Sequence, residues 1–187
     1  MFHNPSSFAV VSSFQDQWQK IREEYRGLNP AIVDIHRNGS HEEYFAQVIA
    51  NNGWVPSWQV GSTDKNYGWL TYALGYEGHF PNEAEAKFPT IMALLKKYPQ
   101  VKACAFSKMR PLSFIAPHAH VELGGKILTF HLGIDVTPAT AYLSVEGAFE
   151  EESNGKAIVF DGSASHFAIN MGNEDRVIMY MEFDQSA

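Results

Sequence analysis

Residues 115–134 read IAPHAHVELGGKILTFHLGI and hold three of the chain's eight histidines between two apolar runs. His118, His120, Glu122 and His131 lie in this stretch, and His166 stands far downstream, after IVFDGSAS. Imidazole nitrogens with or without a carboxylate form the donor set for a divalent first-row metal, and three such donors leave coordination positions open for other ligands. In an extended strand, residues i and i+2 project to the same face with Cα atoms about 6.6 Å apart, so His118 and His120 can converge on one ion. Gly124-Gly125 marks a turn just beyond, and a turn starting near Val121 would swing Glu122 inward and His120 out. His120 and Glu122 are therefore alternative donors within this stretch beside His118, with His166 a candidate from a separate strand. A lone histidine is usually a hydrogen-bonded core or surface group. Here several histidines recur, and a metal centre would need the long-range convergence that His118 and His166 imply.

Strands must provide that convergence. From about residue 101 the chain is a succession of short β-prone runs punctuated by Pro, Gly, Asn and Asp: VKACAFSKM, SFIAPH, KILTFHLGIDV, TAYLSVEG, FEEESNG, KAIVFDG, SHFAINMG and RVIMYMEFD. About eight antiparallel strands in succession close as a double-sheet jelly roll. The first hundred residues read differently. SSFQDQWQKIREEYRGL predicts one amphipathic helix with Ser12 or Ser13 as N-cap and Gly27 as stop, and HEEYFAQVIANNG a second. EAEAKFPTIMALLKKYPQ predicts a third, entered through Pro89, ended before Pro99, with an apolar face of Ile91, Leu94, Leu95 and Tyr98. Between them, GWVPSWQVGSTDKNYGWLTYALGY suits short strands and turns. The expectation is one domain over residues 1–187: mostly β with flanking helices, a cupin-like double-stranded β-helix in which 101–187 form the core and 1–100 pack around it.

Composition narrows the partners. A 187-residue chain with 45% hydrophobic residues can bury a full core without disulfides, and its single cysteine, Cys104, permits no internal one. A net charge of −7, with no basic run longer than Lys96-Lys97, argues against nucleic acid or an anionic membrane surface. A small-molecule or peptide substrate is expected instead. No apolar run reaches the roughly 18–20 residues that span a bilayer, and MFHNPSSFAVVSSF lacks the pattern of a signal peptide, so the expected location is cytoplasmic.

HAHVE and GKAIVFDGSASHFAIN loosely resemble the two cupin motifs, although the Pro-x-Gly turn is missing. A closer likeness runs from Ser107 to Arg176. FSKMRPLSFIAPH resembles the Ser-x3-Pro and Ile/Val-x-Pro-His of the aspartyl/asparaginyl β-hydroxylase family, and LTFHLGI resembles its Leu-Arg-x-His-Leu-Gly-Leu strand. GKAIVFDGSASHFAINMGNEDR resembles its Gly-x3-Ile-Phe-Asp-x-Ser-x2-His, with an arginine ten residues beyond. That family comprises Fe(II) and 2-oxoglutarate dependent oxygenases, including a lipid A hydroxylase and a proline cis-4-hydroxylase. The resemblance implies that His118 and His166 bind iron, that Arg176 clamps the far carboxylate of 2-oxoglutarate, and that Ser107 and His131 also contact this co-substrate. O2 would be the other co-substrate and a small amino acid or peptidyl residue the target. Many members have His-x-Asp where this chain has His118-Ala119-His120; others have glycine there, leaving the position to water. Aligning backward from His131 instead pairs His120 with Glu122. Thr129 stands where the family often has an arginine. A buried Arg176 needs a counter-charge, so an anion or water is expected against it. NYGWLTYALGY and Arg110 are candidate substrate contacts. The rival readings are a three-histidine cupin metalloenzyme without 2-oxoglutarate, and a non-catalytic jelly-roll binding module.

Overall fold

A computed structural model describes residues 1–35, 41–59 and 64–185. Strand β1 (Phe2–His3) precedes helices α1 (Ala9–Asp16), α2 (Trp18–Arg26) and α3 (His41–Asn51), followed by β2 (Val55–Trp58), β3 (Lys65–Tyr76), α4 (Ala84–Lys87) and α5 (Pro89–Lys97). Then come β4 (Val101–Met109), β5 (Ser113–His118), β6 (Ile127–Asp135), β7 (Ala141–Val145), β8 (Ala148–Glu151), β9 (Ala157–Phe160), β10 (His166–Asn170) and β11 (Arg176–Asp184). Each β-prone run of the second half forms one of these strands. Two antiparallel sheets result, one ordered β1-β9-β6-β11-β4-β3-β2 and the other β5-β10-β7-β8. The fold is mostly β, a double-sheet jelly roll with flanking helices.

The large sheet serves two environments because side chains alternate across it. Leu128, Phe130, Leu132 and Ile134 of β6, with Val177, Met179, Met181 and Phe183 of β11, join Val11, Phe14, Ile21, Ile91 and Leu95 of the helices in the main core. Burying each such side chain contributes about 1.5–3 kcal/mol. The intervening residues of the same strands, among them His131, Arg176, Tyr180 and Glu182, face an internal cavity.

Two expectations need correction. The predicted helix over 12–28 is two helices: α1 already starts at Ala9, and the helical path breaks at Gln17 (φ −101°, ψ 11°). The break seats the Trp18 indole on Gly155, where a Cβ would lie 2.9 Å from the ring, while Gln15 Nε2 donates to the Gly155 carbonyl at 2.9 Å. Nor does residue 100 separate barrel from flanking elements, because β1, β2 and β3 all belong to the large sheet. The hairpin of β2 and β3 pairs the side of β4 not used by β11, which would otherwise present unpaired backbone groups. Residues 60–63 of the expected strand-and-turn region lie outside the described residues. Among the described residues, no helix is long and apolar enough to cross a membrane.

Candidate active site

β5 and β10 pair so that His118 lies directly opposite His166. Their register then slips: Ala168 pairs with Ile115, so β5 takes three residue steps where β10 takes two. The extra residue falls at Ala116-Pro117, where proline has no N–H to give the ladder. His118 Nδ1 lies 2.8 Å from the Ala116 carbonyl, and His166 Nδ1 lies 2.9 Å from that of Ala164. A carbonyl only accepts, so both rings carry hydrogen on Nδ1 and keep the Nε2 lone pair for a metal.

His120 follows β5, just ahead of a 3-10 turn over Val121–Leu123. The turn therefore begins at Val121, yet it does not expel the histidine, because His120 N–H donates to the Gly162 carbonyl at 2.9 Å. One nitrogen from each of His118, His120 and His166 lies within 4.8 Å of the others. Glu122 stays at the rim, 67% exposed, with Oε1 3.4 Å from His120 Nδ1. Burial pushes the His118 pKa down. It pushes His166 down to about 4, with the neighbouring histidines adding to the effect and the Ala164 carbonyl opposing it. Both rings are thus neutral near pH 7, the form that binds metal.

Arg176 opens β11 and is 1% exposed. An external anion or water was the expected counter-charge; the structure supplies Glu152. Arg176 Nε donates to Glu152 Oε2 at 2.7 Å and Nη2 donates to Oε1, while His131 Nδ1 lies 2.9 Å from the same Oε1. Glu152 is also 1% exposed and lies just past the end of β8, where its N–H donates to the Ala141 carbonyl at 2.9 Å. Burial raises the Glu152 pKa, but Arg176 and His131 together outweigh it and hold the carboxyl well below its usual range. For His131 burial prevails over the pull of Glu152 and keeps the ring neutral, so its contact is a hydrogen bond rather than a second ion pair. Sequence reading missed Glu152, which looks like the last residue of an exposed acidic run, FEEE. The available signal was the need of Arg176 for a partner.

A cavity of about 420 Å³ joins these groups, bordered by Ser107, His118, His120, His131, His166 and Arg176. Ser107 is 7% exposed, and its Oγ accepts from Trp69 Nε1 at 3.1 Å. Ala73 of β3 with Ala103 and Ala105 of β4 keep the space open, and Phe45, Val48, Ile115 and Ile127 make much of the remaining wall apolar. Of the candidate aromatic wall, Trp69 and Tyr76 border the cavity, whereas Tyr72 is packed in the helix-side core and Tyr67 is exposed. Arg110 borders a different cleft with Lys108 and Asp175. Thr129 is buried, and its Oγ1 has no hydrogen-bond partner among the described residues.

Comparison with known proteins places this geometry in context. Over 144 residues the chain is 26% identical to the ornithine lipid ester-linked acyl 2-hydroxylase of Rhizobium tropici, a match covering 73% of this chain and 50% of that protein. The chain thus spans about half the length of that curated relative. Among solved structures, KdgF from Halomonas sp. aligns with a TM-score of 0.44 at 13% identity, covering 65% of this chain and 84% of that one. A predicted oxalate decarboxylase from Thermotoga maritima aligns with a TM-score of 0.40 at 16% identity, covering 62% and 80%. The sequence model described as aspartyl/asparaginyl beta-hydroxylase matches residues 15–186, and the chain belongs to that hydroxylase family.

Proposed function

We propose that this chain is an Fe(II) and 2-oxoglutarate dependent dioxygenase that hydroxylates an aliphatic carbon of a small substrate. The observation that carries the reading is the joining, in one cavity, of a three-histidine cluster and a buried arginine. The donor chemistry fits iron: three imidazoles are suitable ligands, and two of them are held in the correct tautomer by backbone carbonyls. His118, His120 and His166 would hold the metal, with Glu122 the alternative third ligand. Arg176 would hold the far carboxylate of 2-oxoglutarate, with Ser107 and His131 beside it. When bound, iron would activate O2 as the oxidant, with 2-oxoglutarate giving up two electrons as it loses CO2 and the C–H bond giving up the other two on hydroxylation. The protein's own task is positional. The bulged β5 and the His120–Gly162 hydrogen bond set the ligands, and the apolar wall directs an aliphatic group toward them and excludes water.

A small amino acid or peptidyl residue remains the proposed target. An acyl chain is a second reading, favoured by the apolar wall and by the acyl group named in the Rhizobium tropici relative. Substrate-independent turnover of 2-oxoglutarate with Fe(II) tests the chemistry. Turnover is expected, and its absence despite bound iron would favour the cupin-type metalloenzyme that has no use for 2-oxoglutarate. Loss of metal binding as well would leave a jelly-roll binding module. Arg176→Lys keeps the charge and loses the planar fork. It should weaken 2-oxoglutarate binding about tenfold or more while leaving metal affinity nearly unchanged.

A further inference from the structure

We infer that Glu152 is a resident counter-ion that sets the anion selectivity of Arg176, so that the arginine does not capture simple anions. The pair is built into the wall. Arg176 and Glu152 are each 1% exposed, and the carboxylate takes the Nε and Nη2 side of the guanidinium. The same carboxylate accepts from His131, so one acid orients both cavity-facing cations or donors. Arg176 and His131 border the cavity, whereas Glu152 is not among its lining residues and approaches from behind them. Nη1 of Arg176 makes no hydrogen bond to the described residues, which leaves one end of the fork available to a ligand.

The consequence is electrostatic. A buried arginine without a partner strongly attracts any anion that reaches it, because an interior charge left uncompensated is strongly destabilising. With Glu152 ionised and His131 neutral, the group carries no net charge. A monoanion such as acetate then gains little by entering. A dicarboxylate is retained only if its other end is held as well, for instance at the histidine cluster. Glu152 is therefore a positioning residue that makes binding at Arg176 conditional on a second contact.

The role of Arg176 toward 2-oxoglutarate rests on the proposed function; the anion selectivity does not, so the test uses chelator-treated, metal-free full-length chain with sodium acetate as the probe. Melting temperature is followed against acetate concentration at fixed pH and ionic strength, for the unaltered protein and for Glu152→Gln. The unaltered protein should be indifferent to millimolar acetate. The variant should melt lower without acetate and recover saturably with it, its apparent acetate affinity about tenfold or more above that of the unaltered protein. A purely structural glutamate would lower the melting temperature without creating acetate dependence. Equal acetate responses in the two proteins, or no response in the variant, would overturn the inference. Should Glu152→Gln fail to fold at any acetate concentration, Glu152→Gln combined with Arg176→Met removes both charges. That double variant must fold and be indifferent to acetate, and failure on either count also overturns it. Absence of 2-oxoglutarate turnover alongside the expected acetate response would reject the dioxygenase reading and leave this one standing.

Discussion

Removing the imidazole of His118 or of His166 deletes one of two donors that lie directly opposite each other across the strand pair. Alanine at either position should abolish stoichiometric Fe(II) binding as read by metal analysis after desalting; near-normal iron in both variants would dismiss the cluster. The third donor separates into three outcomes. His120→Ala should markedly weaken iron binding, and Glu122→Ala, at a rim position, should change it little. The reverse pattern would mean that Glu122 turns inward when metal binds, and no loss in either would assign the position to water. His118 and His120 were legible together from strand alternation, whereas the pairing of His118 with the distant His166 was sharpened by the family resemblance. Glu152 was not legible, because an acid after Glu150 and Glu151 looks solvated until tertiary structure puts Arg176 and His131 beside it. Ser107 could be named from the family resemblance, but its Trp69 partner comes from β3, and no local pattern reveals a contact between distant strands.

At the level of elements, every strand of the second half was readable because Pro, Gly, Asn and Asp punctuate the β-prone runs, though β8 (Ala148–Glu151) ends four residues before the run FEEESNG does. Helix α1 was harder. Its start at Ala9 uses Phe8 as N-cap with no side-chain hydrogen bond, so the Ser12 and Ser13 signal pointed inside the helix rather than to its beginning. The membership of β2 and β3 in the large sheet was also hidden, since alternation shows a strand but not its neighbour. Close backbone approach gives a testable consequence on β6. A Cβ on Gly133 would sit 1.9 Å from the Ser153 carbonyl oxygen, and Gly133 exchanges backbone hydrogen bonds with Lys156 and Gly155 at 3.1 and 2.9 Å. Gly133→Ala must push the segment after Glu152 away and should destabilise the protein by about 1–3 kcal/mol in urea unfolding. Gly27→Ala is the control: Gly27 has helical φ −72°, and its added Cβ would meet nothing closer than 3.5 Å. That variant should be neutral or more stable by about 0.4–1 kcal/mol. Equal effects of the two substitutions would contradict the close approach.

For the molecule as a whole, the cavity places three histidines, His118, His131 and His166, where burial holds each below the usual imidazole range. Stability of the metal-free chain must then depend on pH with a definite sign. Above about pH 6.5 these rings are neutral in both folded and unfolded chains, and the folded state keeps its full advantage. As pH falls below that value, the unfolded chain takes up protons that the folded chain refuses, so stability declines until the folded rings titrate. For His166 the window runs from the reference 6.5 down to about 4 and is worth on the order of 3 kcal/mol. Glu152 adds a second decline further down. Its folded pKa is depressed, so its contribution is present above the reference value of 4.5 and is lost as acid protonates the folded carboxylate. Calorimetric melting from pH 8 to pH 4 should therefore show a plateau down to about 6.5, a first fall across the histidine window, and the onset of a steeper fall below about 4.5. Fe(II), kept reduced, should raise the plateau by an amount that grows with the logarithm of its concentration. That increment should shrink across the same window, because protons and metal compete for His118 and His166. A metal-free profile flat from pH 8 to pH 5 would mean that these imidazoles protonate as readily in the folded chain as in the unfolded one, and that the cavity is open to water in a way its buried walls contradict.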